Sequence, residues 1–265
     1  MYSISEFAAM TGLTQSAIRF YERHGLRLSD RQENGYRVFT PEDAFRSNSF
    51  RLLLQYGFSV DDAVRLLDAE HGAEDFVEAL LDREKELRYE ADVIECRLRR
   101  IRSALDALND GDIPGFELVD IEDFYYVAAS RGRDFSVSME GVGARTELYD
   151  LLYVSHCARI IHKDDLMGDA SEVDPDYING IVASELHRVS DATRAQLKQL
   201  QLGKCVRFRR RLNRMESVKK STFDDLFAYL EGHGYRLRGD ILILPTFLNL
   251  DKTGNDIECL CVPVV

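Results

Sequence analysis

The sequence predicts an α+β protein with a helical, winged helix-turn-helix head, one long central helix and a C-terminal α+β domain. Three observations predict it. Residues 3–39 read as two short helices joined by a tight turn and followed by a small β-hairpin. Apolar residues recur every seven positions from Leu80 to Leu108. Beyond a stretch dense in turn formers, Asn109-Asp110-Gly111-Asp112-Ile113-Pro114-Gly115, alternating β-rich segments take over. The expected divisions are residues 1–72, 73–109 and 116–265.

The head opens on Ser3 and Glu6, an S-x-x-E capping box. Phe7, Ala8 and Met10 are the expected apolar face of the first helix, and Gly12 suits the left-handed residue after its end. Thr14 caps a second helix, in which Leu13, Ala17, Ile18 and Phe20 are expected to face inward and Arg19, Tyr21 and Arg23 to sit on or beside the opposite face. Asn34-Gly35 is a hairpin turn signal between Arg31 and the strand Tyr36–Phe39. Thr40-Pro41-Glu42-Asp43 starts a third helix, with a cap, a first-turn proline and acids at the positive end of the dipole. Ser59 caps a fourth, running to about Leu67, and His71-Gly72 closes the head. The second helix of such a motif enters the major groove of DNA, and Arg or Tyr on the hairpin can reach phosphates beside it.

These residues resemble the MerR family of bacterial regulators. The resemblance rests on Ile18-Arg19-Phe20-Tyr21-Glu22, Gly25-Leu26, Arg31, Gly35-Tyr36-Arg37 and Gly57-Phe58-Ser59 in that order and spacing. It implies that Arg19 and Tyr21 on the second helix, with Tyr36 and Arg37 on the wing, contact DNA. Ser3, Thr14, Ser16 and Arg31 complete the expected DNA-facing set. The usual proline after the second helix is missing at Leu28-Ser29-Asp30, and Phe39 stands where a tyrosine is common.

The net charge of -12 is unusual for a DNA binder, whose affinity comes largely from neutralising phosphates. Residues 1–60, however, hold seven arginines and six acids, so the negative excess lies further along. An acidic remainder disfavours non-specific DNA binding and favours cationic ligands, or simply keeps the protein soluble. No apolar run approaches ~20 residues, so no membrane span is expected. No signal peptide is visible, and five scattered cysteines suit a reducing cytoplasm.

Residues 74–108 read as one helix about 50 Å long. Leu80, Leu87, Ile94, Ile101 and Leu108, alternating with Ala91, Leu98 and Leu105, form an apolar seam of about four heptads. Such a seam needs a partner, most simply a second copy of the chain. The family resemblance implies an antiparallel coiled coil in a homodimer that reads an inverted repeat in double-stranded promoter DNA.

In the C-terminal domain, Phe116–Ser130, Tyr177–Ala183, Cys205–Arg211, Ile241–Leu244 and Ile257–Val264 are expected strands. Glu147–Ile161 is an expected helix, and Ser221-Thr222-Phe223-Asp224 is expected to cap another, with Phe223, Leu226, Phe227 and Leu230 inside. The last sixty-odd residues resemble the second half of GyrI-like effector-binding domains, through Leu202-Gly203-Lys204, Phe223–Leu230, Gly234-Tyr235, Gly239-Asp240 and Ile257-Glu258 with Val262-Pro263-Val264. That resemblance implies a cleft between two pseudo-symmetric halves that takes an organic, often bulky aromatic or cationic, small-molecule effector. Tyr126, Tyr149, Tyr153 and Phe247 are the aromatic candidates. The strand Ile241–Pro245 lacks the family's pocket acid. A pocket carboxylate would then come from Glu185 or Glu258, or the ligand is neutral. Residues 131–175 match poorly.

No metal site is expected. Ala107–Pro114 has no cysteine, and His156-Cys157 with His162 and Asp164-Asp165 is a poorly spaced ligand set on a helix. Cys259 and Cys261 share one face of a strand and read as core thiols. No G-x-S-x-G, P-loop or H-E-x-x-H occurs, and Glu185 with His187 reads as polar surface, so no enzyme and no cofactor is expected. The resemblances together imply a cytoplasmic, ligand-responsive activator that distorts promoter DNA for RNA polymerase. A drug-sequestering autoregulatory protein is the alternative, and a metal-responsive activator a weaker one.

Overall fold

A computed structural model describes residues 1–28, 30–31, 37–68, 73–109, 115–213, 216–247 and 254–265. The expected Asn34-Gly35 turn, Tyr36, His71-Gly72 and the linker 110–114 lie outside the described residues. The chain divides into two compact units, Met1–Asp92 and Val93–Val265.

The first unit holds α1 (Ile4–Thr11), α2 (Gln15–Arg23), the wing strands β1 (Asp30–Arg31) and β2 (Arg37–Val38), α3 (Pro41–Gln55) and α4 (Val60–Asp68). Its helix ends follow the local code. Ser3 Oγ accepts from Glu6 N, and Glu6 Oε2 accepts from Ser3 N at 2.8 Å. Gly12 sits at φ 70°, where a side chain would be strained. Thr40 and Asp43 make the same reciprocal box ahead of α3, with Pro41 in its first turn. The wing strands pair antiparallel, Arg31 opposite Arg37. The core is Phe7, Ile18, Leu26, Leu28, Phe39 and Phe50, with Phe7 stacked on Phe39 at 4.3 Å.

Two expected facings are corrected. Met10 is exposed and Thr11 takes its place inside. Phe20 is 42% exposed and lies tilted against the His24 ring, while Tyr21 packs edge-on against Phe50 at 4.8 Å. Helical spacing explains the second case: Tyr21 lies three residues after buried Ile18 and so shares its stripe, whereas Phe20 is rotated away from it.

One helix, α5 (Ala73–Asn109), runs for 37 residues. Within the first unit, Phe76 packs against the head core and Arg83 donates from Nε to Tyr56 O at the end of α3. Within the second, Cys96 is buried and Arg100 donates to the carbonyls of Tyr153 and Ser155. Leu87, Ile94, Leu98, Ile101, Leu105 and Leu108 of the heptad seam are 40% to 56% exposed in the single chain.

The second unit continues with β3 (Glu117–Ile121), β4 (Phe124–Arg131), β5 (Ser136–Val137), α6 (Val142–Asp150), β6 (His156–Ile161), α7 (Lys163–Met167) and β7 (Asp176–Val182). A 3-10 turn (Ala183–Arg188), α8 (Asp191–Arg194), β8 (Lys198–Leu200) and β9 (Gly203–Asn213) follow. The chain ends with a second 3-10 turn (Lys220–Phe223), α9 (Asp224–Gly232), β10 (Ile241–Pro245) and β11 (Asn255–Pro263). The nine strands form one sheet in the order β3-β9-β11-β10-β6-β7-β4-β5, with β8 also paired to β4. Two strand–helix–hairpin halves, β4-α6-β6-β7 and β9-α9-β10-β11, meet where β6 runs antiparallel to β10, Arg159 opposite Ile243. On one face, Ala144 and Leu148 of α6 pack with Val127 and Ile181, and Leu226 and Leu230 of α9 pack with Val206, Phe208 and Leu260.

Two further expectations are corrected here. The helix expected over 147–161 ends at Asp150, and His156–Ile161 is a central strand between β10 and β7. A strand covered on both faces shows no alternation, so its apolar run is indistinguishable from a helix by period. Neither Ser221 nor Thr222 caps α9, whose N-cap, Phe223, makes no side-chain bond. Thr222 Oγ1 instead donates to Lys219 O and accepts from Arg210.

At the ends of the central strands, His162 sits between Asp240 at 3.0 Å and Asp176 at 3.1 Å. The Asp240 hydrogen bond, with both carboxylate charges, raises its pKa above 6.5 against the cost of burial. Burial, aided by the Arg100 charge, pushes His156 down to about 4. The two histidines therefore act in opposite directions. The stability from His162 is complete below about pH 6.5 and is lost as pH rises through its folded pKa. The partly buried, neutral His156 favours folding above about pH 6.5 and loses about 2–3 kcal/mol of that by about pH 4.5. Melting of the second unit followed against pH is expected to fall on both sides of about pH 6.5. His162→Gln flattens the alkaline limb, and His156→Phe the acidic one.

Candidate functional site

Two regions gather the candidate residues. On the head, Ser16 and Arg19 are exposed on α2, and Arg23 donates from Nε to Arg19 O. The hydroxyl oxygens of Ser3 and Thr14 serve as helix caps. Tyr21 is half-buried, its ring braced by Phe50. Arg37 is held by Glu22 of α2, Nη1 to Oε2 at 2.7 Å, which ties the wing to the helix. Arg31 is described by its backbone alone, in β1, and Tyr36 lies outside the described residues. The sequence reading missed Glu22 as the wing's anchor, although it closes the Arg19-Phe20-Tyr21-Glu22 run.

The second region is a cavity of about 660 Å³ on the helix-bearing face of the sheet. Tyr149 from α6, Cys157 and Arg159 from β6, Tyr177 and Asn179 from β7, Pro245 from β10, and Phe135, Val218 and Phe247 from loops line it. Cys157 faces Asn179 and Arg159 faces Tyr177 as cross-strand pairs, so the four side chains share that face. Phe135 stacks on Tyr177 at 4.6 Å. Phe135 and Phe247 both adopt left-handed backbone conformations, φ 55° and 56°, at a cost of order 1 kcal/mol or more each. Phe247 is held there by its N–H to Asp256 Oδ2 at 3.0 Å.

Under this cavity lies a buried ionic cluster. Glu258 is fully buried and bonds Arg159 through Oε1. Arg210 approaches Oε2 of the same carboxylate from Nη2 at 3.1 Å and from Nε at 3.2 Å. Arg159 also donates to Ser217 Oγ, and Arg210 to Thr222 O at 2.9 Å, with its guanidinium 4.5 Å over the Phe223 ring. Burial, reinforced by the Arg159 charge, lowers the Arg210 pKa to about 9.

The six expected pocket residues are thus separated. Tyr149 and Phe247 line the cavity. Tyr153 and Glu185 line a second cavity of about 590 Å³, with Arg99 and Arg100 of α5 and Arg207 and Arg209 of β9; Phe247 borders both. There Glu185 is paired with Arg188 and lies 3.7 Å from Arg99. Tyr126, whose pKa burial raises, sits on β4 opposite Gly180 and Lys198 and lines neither cavity. Glu258 is not the open carboxylate that a cationic ligand would need, because two arginines occupy it. The signal that could have found this cluster is Arg159 itself, one charge inside the apolar run His156–Ile161.

Residues 2–70 match the family model described as MerR HTH family regulatory protein. The HTH-type transcriptional regulator CueR of Escherichia coli O6:H1 is 40% identical over 67 residues, 25% of this chain and 50% of that protein. The chain thus spans about half the length of that curated relative. The HTH-type transcriptional regulator ZntR of Escherichia coli K12 is 32% identical over 115 residues, 42% of this chain and 79% of that protein. A solved structure described as the EcmrR–DNA complex in EcmrR-RPo covers 99% of each chain at 15% identity, with a TM-score of 0.38. The head and its matches define a helix-turn-helix regulatory protein. The chain belongs to the MerR family.

Proposed function

We propose that this protein is a ligand-responsive transcription regulator that reads an inverted repeat in promoter DNA as a homodimer. The carrying observation is the outward face of α2, where Arg19 and Ser16 stand exposed on a helix fixed from behind by Ile18 and Tyr21. Relatives named as transcriptional regulators, CueR and ZntR, share this part of the chain. Ser3, Thr14, Ser16, Arg19, Tyr21, Arg31, Tyr36 and Arg37 face the DNA in this reading, within a head spanning residues 1–72.

The dimer forms through residues 73–109 as an antiparallel coiled coil. The exposed seam from Leu87 to Leu108 supports this, since an apolar stripe of that length is covered in a stable protein. Residues 116–265 form a GyrI-like effector domain that binds an organic aromatic compound, supported by the two repeated halves and the aromatic-lined cavity. The protein works in the cytoplasm with RNA polymerase as an activator. Ligand binding biases a two-state dimer, and the bound dimer distorts the promoter at a deformation cost offset by its DNA contacts.

The test is a nuclease footprint and titration on DNA upstream of the protein's own gene, at physiological salt. The parent protein is expected to protect a pseudo-palindrome. Arg19→Ala loses about 1–3 kcal/mol of binding per protomer, while melting and dimer mass are unchanged because its side chain is exposed. Equal protection by parent and variant would overturn the assignment of α2 as the reading helix.

A further inference from the structure

We infer that the cavity between α5 and the sheet is a second ligand site, selective for an organic carboxylate that pairs with Arg100. The inference goes beyond the aromatic-lined cavity read above as the effector site, which is lined by neither Arg100 nor Ser103.

A guanidinium without a counter-charge carries the argument first. Arg100 of α5 is partly buried and lines this cavity of about 590 Å³. Its Nε donates to Tyr153 O at 3.1 Å and its Nη2 to Ser155 O. Both acceptors are neutral, and no carboxylate pairs with Arg100 among the described residues. Burial pushes its pKa below the usual arginine value, and only the Cys157 and Cys96 sulfurs act the other way. A partly buried cation in that state gains from an anion beside it. Those two bonds leave three of the five guanidinium N–H groups, on Nη1 and Nη2. That pair of nitrogens matches the two oxygens of a carboxylate.

The other charges at the wall do not supply the anion. Glu185 is the one carboxylate among the described residues that line the cavity. It is paired with Arg188 and lies 3.7 Å from Arg99, so it meets two arginines before Arg100 is counted. Arg207 is paired with Glu117 at 2.7 Å. Tyr153, Leu244, Phe247 and Ile257 supply apolar surface for the body of a ligand. The cavity also stays open in the proposed coiled coil. At 3.6 residues per turn, Arg100, Ser103 and Ala107 lie on the side of α5 opposite the seam residues Leu98, Ile101 and Leu105.

The experiment titrates the full-length protein with 3-phenylpropanoate, 3-phenylpropanol and 3-phenylpropylammonium, which differ only in the head group. Calorimetry reads affinity, and circular dichroism with thermal melting checks folding. The carboxylate is expected to bind at least about tenfold more tightly than either other probe, a gap of about 1.4 kcal/mol. Arg100→Met removes that preference. Ser103→Glu sets a carboxylate one turn after Arg100, where charges three residues apart meet, and removes the preference too. It leaves the Arg100 bonds to the sheet's carbonyls in place, so it decides the matter even if Arg100→Met fails to fold. Tyr149→Ala, at the aromatic-lined cavity, leaves the preference unchanged. Equal or tighter binding of the ammonium, no heat from the carboxylate at millimolar concentration, or a preference that survives in folded Ser103→Glu overturns the inference. A preference lost in Tyr149→Ala instead places the probe in the aromatic-lined cavity, which overturns the second site and leaves the effector reading standing.

Discussion

Glu258→Ala is expected to unfold the C-terminal unit while the head still melts at its own temperature. The wild-type carboxylate is fully buried and receives both Arg159 and Arg210. Removing it leaves two buried guanidiniums facing each other with no counter-charge. Breaking a buried ion pair from one side costs about 3–5 kcal/mol. That is a large share of the 5–15 kcal/mol that typically holds a domain folded. Glu258→Gln keeps the shape and one acceptor oxygen but turns an amide N–H toward the other guanidinium, so it is expected to recover only part of the loss. Replacing all three members with Met and Leu of similar volume is expected to restore much of the loss, because the cluster's desolvation cost disappears with its charges. Denaturant unfolding followed by circular dichroism checks the series. Retention of parental stability by Glu258→Ala would mean that water reaches the cluster.

Phe50→Ala carries the second large effect, and it falls on the head. Phe50 is fully buried and touches the Tyr21 ring edge-on at 4.8 Å. Truncating a buried phenyl to a methyl costs about 3–5 kcal/mol through lost transfer energy and the cavity left behind. A small domain has a thin margin against such a loss. Tyr21 also loses its brace, so the outward face of α2 is no longer held. The variant is expected to show an early melting transition in the head, and DNA binding that declines in step with the folded fraction. Arg19→Ala is the contrast, binding weakly with an unchanged melt. If Phe50→Ala melts like the parent yet fails to bind, Tyr21 depends on Phe50 for orientation rather than for stability.

Much of the head was legible because its signals are local. Capping boxes at Ser3–Glu6 and Thr40–Asp43, the left-handed Gly12 and the heptads of α5 each act within a few residues along the chain. The facings of Phe20 and Tyr21 were legible too, since Tyr21 shares the helical stripe of Ile18 and Phe20 does not, but the apolar character of Phe20 outweighed that spacing. His156–Ile161 was misread for a different reason. Its place as a central strand is decided by β7 and β10 on either side of it, and no residue within the segment reports them.

The site divides along the same line. Aromatic side chains near the chain's later turns could be marked as candidates from sequence, and Tyr149 and Phe247 do meet in one cavity. The buried ionic cluster beneath it could not. Arg159 and Glu258 stand 99 residues apart in the chain and meet only because β6, β10 and β11 are neighbours in the sheet. By itself the sequence determined the head's helix boundaries, the heptad seam and the family, all set by hydrogen bonds and periodicities that close within one or two turns. Strand order, the pairing of the two halves and the buried Arg159–Glu258–Arg210 cluster were decided by the tertiary structure. Cross-strand contact and exclusion of water are properties of the assembled sheet, and neither is encoded at any single position.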